Sequence, residues 1–451
     1  MTGILDGTTA MEGGIPRDKA PEPQLSDGPI LGDRYWSPEF AAREWDSLWP
    51  RVWQIAGRVS ELPDSGDYIT YDIGRDSILC VRGSDDQIRA FYNVCQHRGN
   101  RLVSATAGSS AGGEFQCAYH GWRYADRGTL VWVHDEDDFP EGSPCGTRNL
   151  VEVACESWAG FIWFNQDPGA APLREWLDPV ADHLDHYRME AMRRTHWVTV
   201  DGDFNWKCVQ DNFNESYHLP FLHPQTLTRM NEHHTGCQFD LYPSGHCRML
   251  MPGGGPGPHY QGSPDRAFAR LAEDFEFWEF DPEPYRNNLP GLRAALQCRK
   301  RELGASKGYD FSSYSDEQLT DHYHYTVFPN VSFSMKPDGC IWLRSAPHPA
   351  DPEKCVFDMW YLTLFPEGAS EYYSNSMRDW VSVDHPVEQH RGLVGEVSCG
   401  LGIDQDVAIW TSQHAGLRSR GYRGECLPWQ ERRIRYFHDN IDRYLALGPL
   451  P

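Results

Sequence analysis

The chain is 451 residues long, beyond the size at which one hydrophobic core keeps growing, so more than one domain is expected. Its formal net charge of −24 argues against binding to nucleic acid or an anionic membrane surface, and no apolar run reaches the length of a membrane span. The 13 cysteines are odd in number and mostly scattered singly, as small buried thiols are in a reducing, cytoplasmic compartment.

Residues 1–34 read as a mobile tail, rich in Pro, Asp and Ser from Pro16 to Pro29, and Met1 to Gly14 lacks the basic start and apolar core of a signal peptide. Residues 35–51 are expected to form an N-terminal helix packing on the second domain, with Ser37 as cap, Pro38 in the first turn and Pro50 as stop. Short β-like runs then predict strands at Tyr68–Ile73, Ser77–Val81, Ile88–Tyr92 and Gly160–Phe164, with a turn at Asp85-Asp86. They make residues 52–167 a small antiparallel β domain. Pro168 and Pro172 mark its exit, and Leu173 to Met192 reads as helix. The remainder, 168–451, mixes strands at Tyr323–Val327 and Val331–Met335 with a long helix from Pro428 to Leu447, an α+β pattern.

The β domain contains two loops with chemistry, Cys95-Gln96-His97-Arg98-Gly99 and Cys117-Ala118-Tyr119-His120-Gly121-Trp122. Each offers one thiolate and one imidazole, the donor set of a [2Fe–2S] cluster in which two Cys hold one iron and two His the other. Structural zinc usually pairs Cys with Cys and His with His, so zinc is the weaker reading. Arg98, Arg101, Arg123 and Arg127 lie near these loops, either as a docking patch for an acidic electron donor or as partners of local carbonyls and carboxylates.

A second constellation runs from Asn205-Trp206-Lys207 through Asp211-Asn212-Phe213-Asn214-Glu215-Ser216-Tyr217-His218 to His223. On an ideal helix His218 and His223 diverge by about 140°, so Pro220 and Pro224 must bend the chain if both are to reach one metal. Two His with one carboxylate and open positions is the arrangement of non-haem Fe(II) oxygenases. Asp406 is the chosen carboxylate, with Asp404 as its rival. Other residues are open to two readings. His322 and His324 alternate on a strand, as cavity residues rather than a ligand pair, and His233-His234 read as loop. Gln413 is a partner of an iron ligand or an ordinary solvated position. Glu273 to Phe280 reads first as a solvated loop, with a lid or a cation-accepting aromatic wall as alternatives.

Together these features resemble the catalytic α subunit of Rieske non-haem iron oxygenases from about Tyr35 onward. The resemblance implies an α+β chain with an N-terminal Rieske domain and a helix-grip (START-like) catalytic domain. It makes Cys95, His97, Cys117 and His120 the cluster ligands and His218, His223 and Asp406 the iron ligands. Glu215 falls where the family places an acid bridging a cluster histidine and an iron histidine across a subunit boundary, and Asp211, four residues earlier on the same presumed helical face, is grouped with it as catalytic. The implied cofactors are one [2Fe–2S] cluster, one Fe(II) and O₂, with NAD(P)H acting only through a reductase. The implied partners are a ferredoxin or flavin reductase and further subunits in a homotrimer α3 or α3β3 with a small β subunit. The expected reaction is hydroxylation or oxidative dealkylation of a small, hydrophobic, ring-bearing compound. Glu215, where many ring-hydroxylating members carry Asp, keeps a quaternary ammonium monooxygenase or demethylase as the alternative. The span from His97 to Cys117 is longer than usual, and Ala107 to Gly113 reads as an inserted loop. The Phe328-Pro329-Asn330 run resembles a family segment near the active site. A cluster protein without catalysis leaves the histidine-rich second domain unexplained, and a zinc-stabilised binding module leaves the cluster loops unexplained.

Overall fold

The computed structural model describes residues 19–374, 377, 379–384 and 387–450. The first 18 residues of the expected tail lie outside them. The described residues divide into two compact units, one of residues 41–177, 349–351 and 443–450, the other of 19–40, 178–348 and 352–442. The sequence reading set its boundaries at 34/35, 51/52 and 167/168.

The first unit is built on an antiparallel sheet of seven strands in the order Gln54–Arg58, Phe161–Asn165, Glu152–Trp158, Ile88–Tyr92, Asp76–Arg82, Asp67–Ile73 and Ala107–Ser109. Ile78, Leu79, Cys80 and Val81 are all buried, as are all five residues of Phe161–Asn165, so these strands are covered on both faces. Asp86 turns the hairpin at φ 65°, a left-handed value that Asp tolerates. The expected insertion at 107–113 supplies the edge strand Ala107–Ser109, which pairs with Asp67 to Ile69. A second sheet, Glu114–Gln116, Arg123–Ala125 and Leu130–Trp132, carries the second Cys/His loop between its first two strands. Leu79, Val81, Phe91, Phe115, Trp122, Tyr124 and Leu130 form one core with the two loop cysteines.

The second unit centres on an eight-stranded sheet in the order Gln238–Leu241, Cys247–Met251, His322–Val327, Val331–Lys336, Gly339–Pro347, Cys355–Thr363, Arg193–Gly202 and His390–Leu393. All neighbours are antiparallel except the last pair. Helix Trp206–Phe213 packs on the strands Gly339–Pro347 and Cys355–Thr363 and on helix Leu401–Leu417. Trp410 fastens this packing, with ring centroids 5.2 Å from Phe204, 5.8 Å from Phe213 and 5.1 Å from Phe357. The C-terminal helix Arg432–Leu445 brings Phe437 to 5.6 Å from Trp206.

Two expectations are corrected. Leu173 to Met192 is not one helix but Leu173–Trp176, Val180–Leu184 and two single turns, because Pro179 interrupts it and Arg188 adopts φ 55°. Glu273 to Phe280 is not a solvated loop. Helices Pro264–Arg270, Ala272–Phe277 and Leu289–Leu303 occupy this region, the first and third capped by Ser263 and Asn288, and Phe268, Phe275, Trp278, Leu292 and Leu296 are buried. Their spacing of three to four residues between Phe275 and Trp278 and between Leu292 and Leu296 is that of a packed helix face.

Candidate functional site

The two Cys/His loops share one construction. In each, the cysteine N–H donates to the carbonyl five residues on, Cys95 to Asn100 at 2.8 Å and Cys117 to Trp122 at 2.9 Å. The glycine four residues on returns a bond to the cysteine carbonyl, Gly99 at 3.0 Å and Gly121 at 2.9 Å. Both glycines sit in the left-handed region, at φ 73° and 72°, where a side chain is strained. Both thiols are buried, whereas His97 and His120 are partly exposed with their Nδ1 atoms 3.1 Å apart. Two thiols beneath and two converging imidazoles above fit a mixed-ligand cluster. Trp122 stacks on the His97 ring at 4.7 Å and an interplanar angle of 14°.

Tyr124 supplies a polar contact that sequence reading missed. Its hydroxyl accepts from the Gln96 N–H at 3.0 Å and lies 3.3 Å from Cys95 Sγ, placed to donate to that sulfur when it is a thiolate ligand with no proton of its own. The four arginines are mostly engaged locally: Arg101 with Asp72, Arg123 with Glu114, Arg127 with Asp85, and Arg98 over the Tyr119 ring.

In the second unit, Asn205 caps helix Trp206–Phe213 by accepting from the Lys207 N–H. The helix ends at Phe213, and a short helix, Leu219–Leu222, begins after a turn with Pro220 in its first turn. His218 and His223 are its two caps, so a break between helices, rather than a bend within one, lets them converge. Their ring centroids are 5.0 Å apart. Asp406 Oδ1, from helix Leu401–Leu417, lies 2.8 Å from His223 Nε2 and 3.6 Å from His218 Nε2. Asp404 serves the start of that helix, accepting from Cys399 N at 2.7 Å and Ser398 Oγ at 2.6 Å.

The protons on these rings can be placed from their partners. Glu215 takes the backbone N–H of Tyr217 and His218 and the Nδ1 of His218, while Gln405 Oε1 lies 2.8 Å from His223 Nδ1. A carboxylate and an amide oxygen only accept, so each ring presents a proton at Nδ1. Both Nε2 atoms are turned to Asp406, and in the neutral rings they are lone pairs facing a carboxylate that also has only lone pairs to offer. Ligand atoms from all three residues lie within 4.8 Å of one another. Such a convergence of acceptors fits a cation, and with His, His and Asp it fits iron.

Asp211 does not join this group. The helix ends before Glu215, so the shared face expected for Asp211, Glu215 and His218 is absent. Asp211 instead accepts from Tyr35 Oη at 2.6 Å and lies 3.2 Å from His438 Nε2, with Glu425 on the same tyrosine. Burial pushes the Asp211 carboxyl up to about 7 and His438 down to about 3. Gln413 makes no contact with the His/Asp group among the described residues; the position that does is Gln405, eight residues nearer the N-terminus.

A cavity of about 420 Å³ opens beside His218, His223 and Asp406. Met249, Met251, Ile341 and Leu343 give it apolar walls, and His322 and His324 line it, as expected from their alternation on one strand. Burial holds His322 down to about 3 and His324 well below its ordinary value, so both are neutral.

Comparison with known proteins gives the same two-part organisation. A model of the Rieske [2Fe-2S] domain matches residues 52–143, and one of the ring hydroxylating alpha subunit catalytic domain matches residues 189–447. The chain is 31% identical over 199 residues to the glycine betaine monooxygenase oxygenase subunit of Chromohalobacter salexigens, covering 44% of each chain. It is 35% identical over 197 residues to the large oxygenase component of the naphthalene 1,2-dioxygenase system of Pseudomonas putida, covering 42% of this chain and 43% of that one. The chain spans about half the length of the curated relatives it matches. Among solved structures, a quaternary ammonium Rieske monooxygenase superposes with a TM-score of 0.65 at 20% identity, covering 92% of this chain and 95% of that one. Naphthalene 1,2-dioxygenase with bound indole gives 0.60 at 20% identity, covering 92% of each. At that identity the likeness is one of fold. One Rieske cluster and one mononuclear iron are the cofactors that go with this pair of domains. With a catalytic-domain match across more than half of its length and a Rieske domain ahead of it, the chain belongs to the Rieske non-haem iron oxygenases as a catalytic α subunit.

Proposed function

We propose that the chain is the terminal component of an oxygenase system, in which electrons stored on a cluster held by Cys95, His97, Cys117 and His120 reach an Fe(II) held by His218, His223 and Asp406. The substrate is a small, hydrophobic, ring-bearing compound that is hydroxylated or oxidatively dealkylated in the adjoining cavity. The observation that carries this reading is the meeting of two Nε2 lone pairs and the Asp406 carboxylate at the edge of that cavity. When bound, the two centres supply stored electrons and O₂ activation.

The residues of the chain do the positioning. Glu215 and Gln405 hold the ring protons on Nδ1 and so keep both Nε2 atoms available. Asp406 contributes the negative charge of the three ligating side chains, and Met249, Met251, Ile341 and Leu343 give the reacting end an apolar boundary. Glu215 is read as the coupling residue between a cluster histidine of one subunit and the iron site of the next, in a homotrimer or an α3β3 assembly. Tyr217 and Phe221, 56% and 91% exposed beside this site, support a docking surface there. A ferredoxin or flavin reductase in the cytoplasm is the proposed electron donor, and aromatic catabolism the proposed setting.

Glu215 and the names of the glycine betaine and carnitine monooxygenase relatives favour a quaternary ammonium substrate as the second reading. Metal and sulfide analysis together with oxygen uptake under a surrogate reductase tests the main one. Iron beyond what the cluster's labile sulfide accounts for, and uptake driven by ring compounds, are expected. Uptake driven by choline or glycine betaine alone moves the assignment to the second reading.

A further inference from the structure

Among the described residues the charged groups lining the cavity are Glu215, Asp406, Arg229 and Lys336. Both carboxylates are directed at the imidazoles of His218 and His223 and at the metal cation these residues would hold, which leaves the two cations as the charge along the rest of the described wall. Arg229 follows the turn Thr226–Thr228, and its Nε is buried with no hydrogen-bond partner among the described residues. Lys336 ends the strand Val331–Lys336 and gives one bond, to the Asp321 carbonyl at 3.0 Å, out of the three an ammonium can make. Asp274 and Asp338 offset these charges from an adjoining recess of about 100 Å³ that shares Arg229, His322 and Lys336 as walls. Neither acid lines the larger cavity.

A third donor has its tautomer fixed from behind. Arg433 is fully buried and points Nη2 at His324 Nδ1 from 3.2 Å. A guanidinium only donates, so Nδ1 accepts and the ring proton is on Nε2. That Nε2–H is buried, lines the cavity through its ring, and has no partner among the described residues. A buried donor without an acceptor is costly, and an oxygen of the ligand is the group that would relieve it.

From the two cations and the fixed Nε2–H, we infer that the ligand of this cavity is a ring-bearing carboxylate, its ring against Met249, Met251, Ile341 and Leu343 and its carboxylate toward His324, Arg229 and Lys336. The inference rests on the oxygenase reading of the site and narrows its substrate class. A purely cationic amine would meet two like charges here and leave His324 without an acceptor.

The test is calorimetric titration of the holoenzyme with matched probes: benzoate against benzamide, 2-naphthoate against 2-naphthamide, and choline. Each carboxylate should bind at least about tenfold tighter than its amide, because a hydrogen bond to a charged group is lost in the amide. Arg229→Met should remove most of that preference while leaving the amide affinity unchanged, and His324→Phe should weaken acid and amide alike. Lys336→Met gives the same reading as Arg229→Met should the latter fail to fold. Equal affinity for acid and amide in the wild type overturns the inference, as does a preference retained in both cation variants. Tighter binding of choline than of either carboxylate, or no carboxylate binding at millimolar concentration, also overturns it. These titrations read binding and not turnover. A His218→Ala protein that kept its mononuclear iron would therefore sink the oxygenase reading and leave the anion preference to be judged separately.

Discussion

Gln405 Oε1 stands 2.8 Å from His223 Nδ1, and the same oxygen accepts from Gln225 Nε2 at 2.6 Å. An amide held by a second amide cannot rotate to present its nitrogen without breaking both contacts, so the His223 proton stays on Nδ1 and the Nε2 lone pair stays on the cavity side. Replacing Gln405 by Leu should cost roughly 10- to 100-fold in affinity for the mononuclear metal, the usual effect of removing such a partner, while the cluster spectrum is unchanged. Competition with a chelator measures it, and an unchanged affinity would show that the ring holds its orientation through packing alone.

Asp406 and Asp404 separate by function. Asp406→Ala should lose the mononuclear iron and all oxygen uptake while the cluster still accepts electrons, and His218→Ala and His223→Ala should match it. Asp404→Ala should keep its iron and lose about 1 kcal/mol of stability, since its contacts are those of a helix N-terminus. Loss of iron from the Asp404 variant with normal iron in the Asp406 variant would reverse the assignment.

The Tyr124 hydroxyl, 3.3 Å from Cys95 Sγ, donates to that sulfur once it is a cluster thiolate, and hydrogen bonds to cluster sulfurs stabilise the reduced, more negative state. Tyr124→Phe should therefore lower the reduction potential, by an amount on the order of tens of millivolts, with the cluster still assembled. Redox titration followed by absorption decides it. Cys117→Ser, which removes a ligand, should instead abolish the cluster's absorption altogether.

Glu215→Gln keeps an oxygen able to accept from His218 Nδ1, so both metal centres should load normally. The expected defect is in electron transfer, with the reduced cluster reoxidised slowly in the presence of substrate and O₂. Rapid-mixing spectroscopy showing wild-type reoxidation would mean that Glu215 only orients His218.

Asp211, pushed up to about 7 chiefly by burial and against the hydrogen bond from Tyr35, makes stability pH-dependent. An acid whose folded pKa lies above its unfolded value contributes stability that is complete below the unfolded pKa and fades as pH rises through the folded one. Asp211→Asn cannot ionise, so its stability relative to wild type should improve from about pH 4 to about pH 8, by roughly 4 kcal/mol at most. Denaturation midpoints of the two proteins across that range would show it. A constant difference would mean that Asp211 ionises alike in the folded and unfolded chain.

Short-range chemistry is legible directly from the order of the residues. The paired Cys and His of residues 95–97 and 117–120, the hairpin strands around Asp85-Asp86 and the helix start at Asn205 each depend on residues within a few positions of one another. Local rules for turns, caps and donor sets suffice there. Tertiary structure decided everything that depends on distant partners. Asp406 meets His223 across 183 positions, Arg433 fixes the His324 tautomer across 109, and Tyr35 draws Asp211 away from Glu215 across 176. Periodicity could not tell Asp404 from Asp406, because both belong to one helix and only its docking sets which side faces the imidazoles. Nor could it show that Glu273 to Phe280 is packed, since an acidic, aromatic stretch reads as surface until the burial of Phe275 and Trp278 is known. Nothing local marks Arg229 and Lys336 as a pair. They share a cavity because a turn and a strand end, 107 positions apart in the sequence, are closed over the same space by the sheet between them.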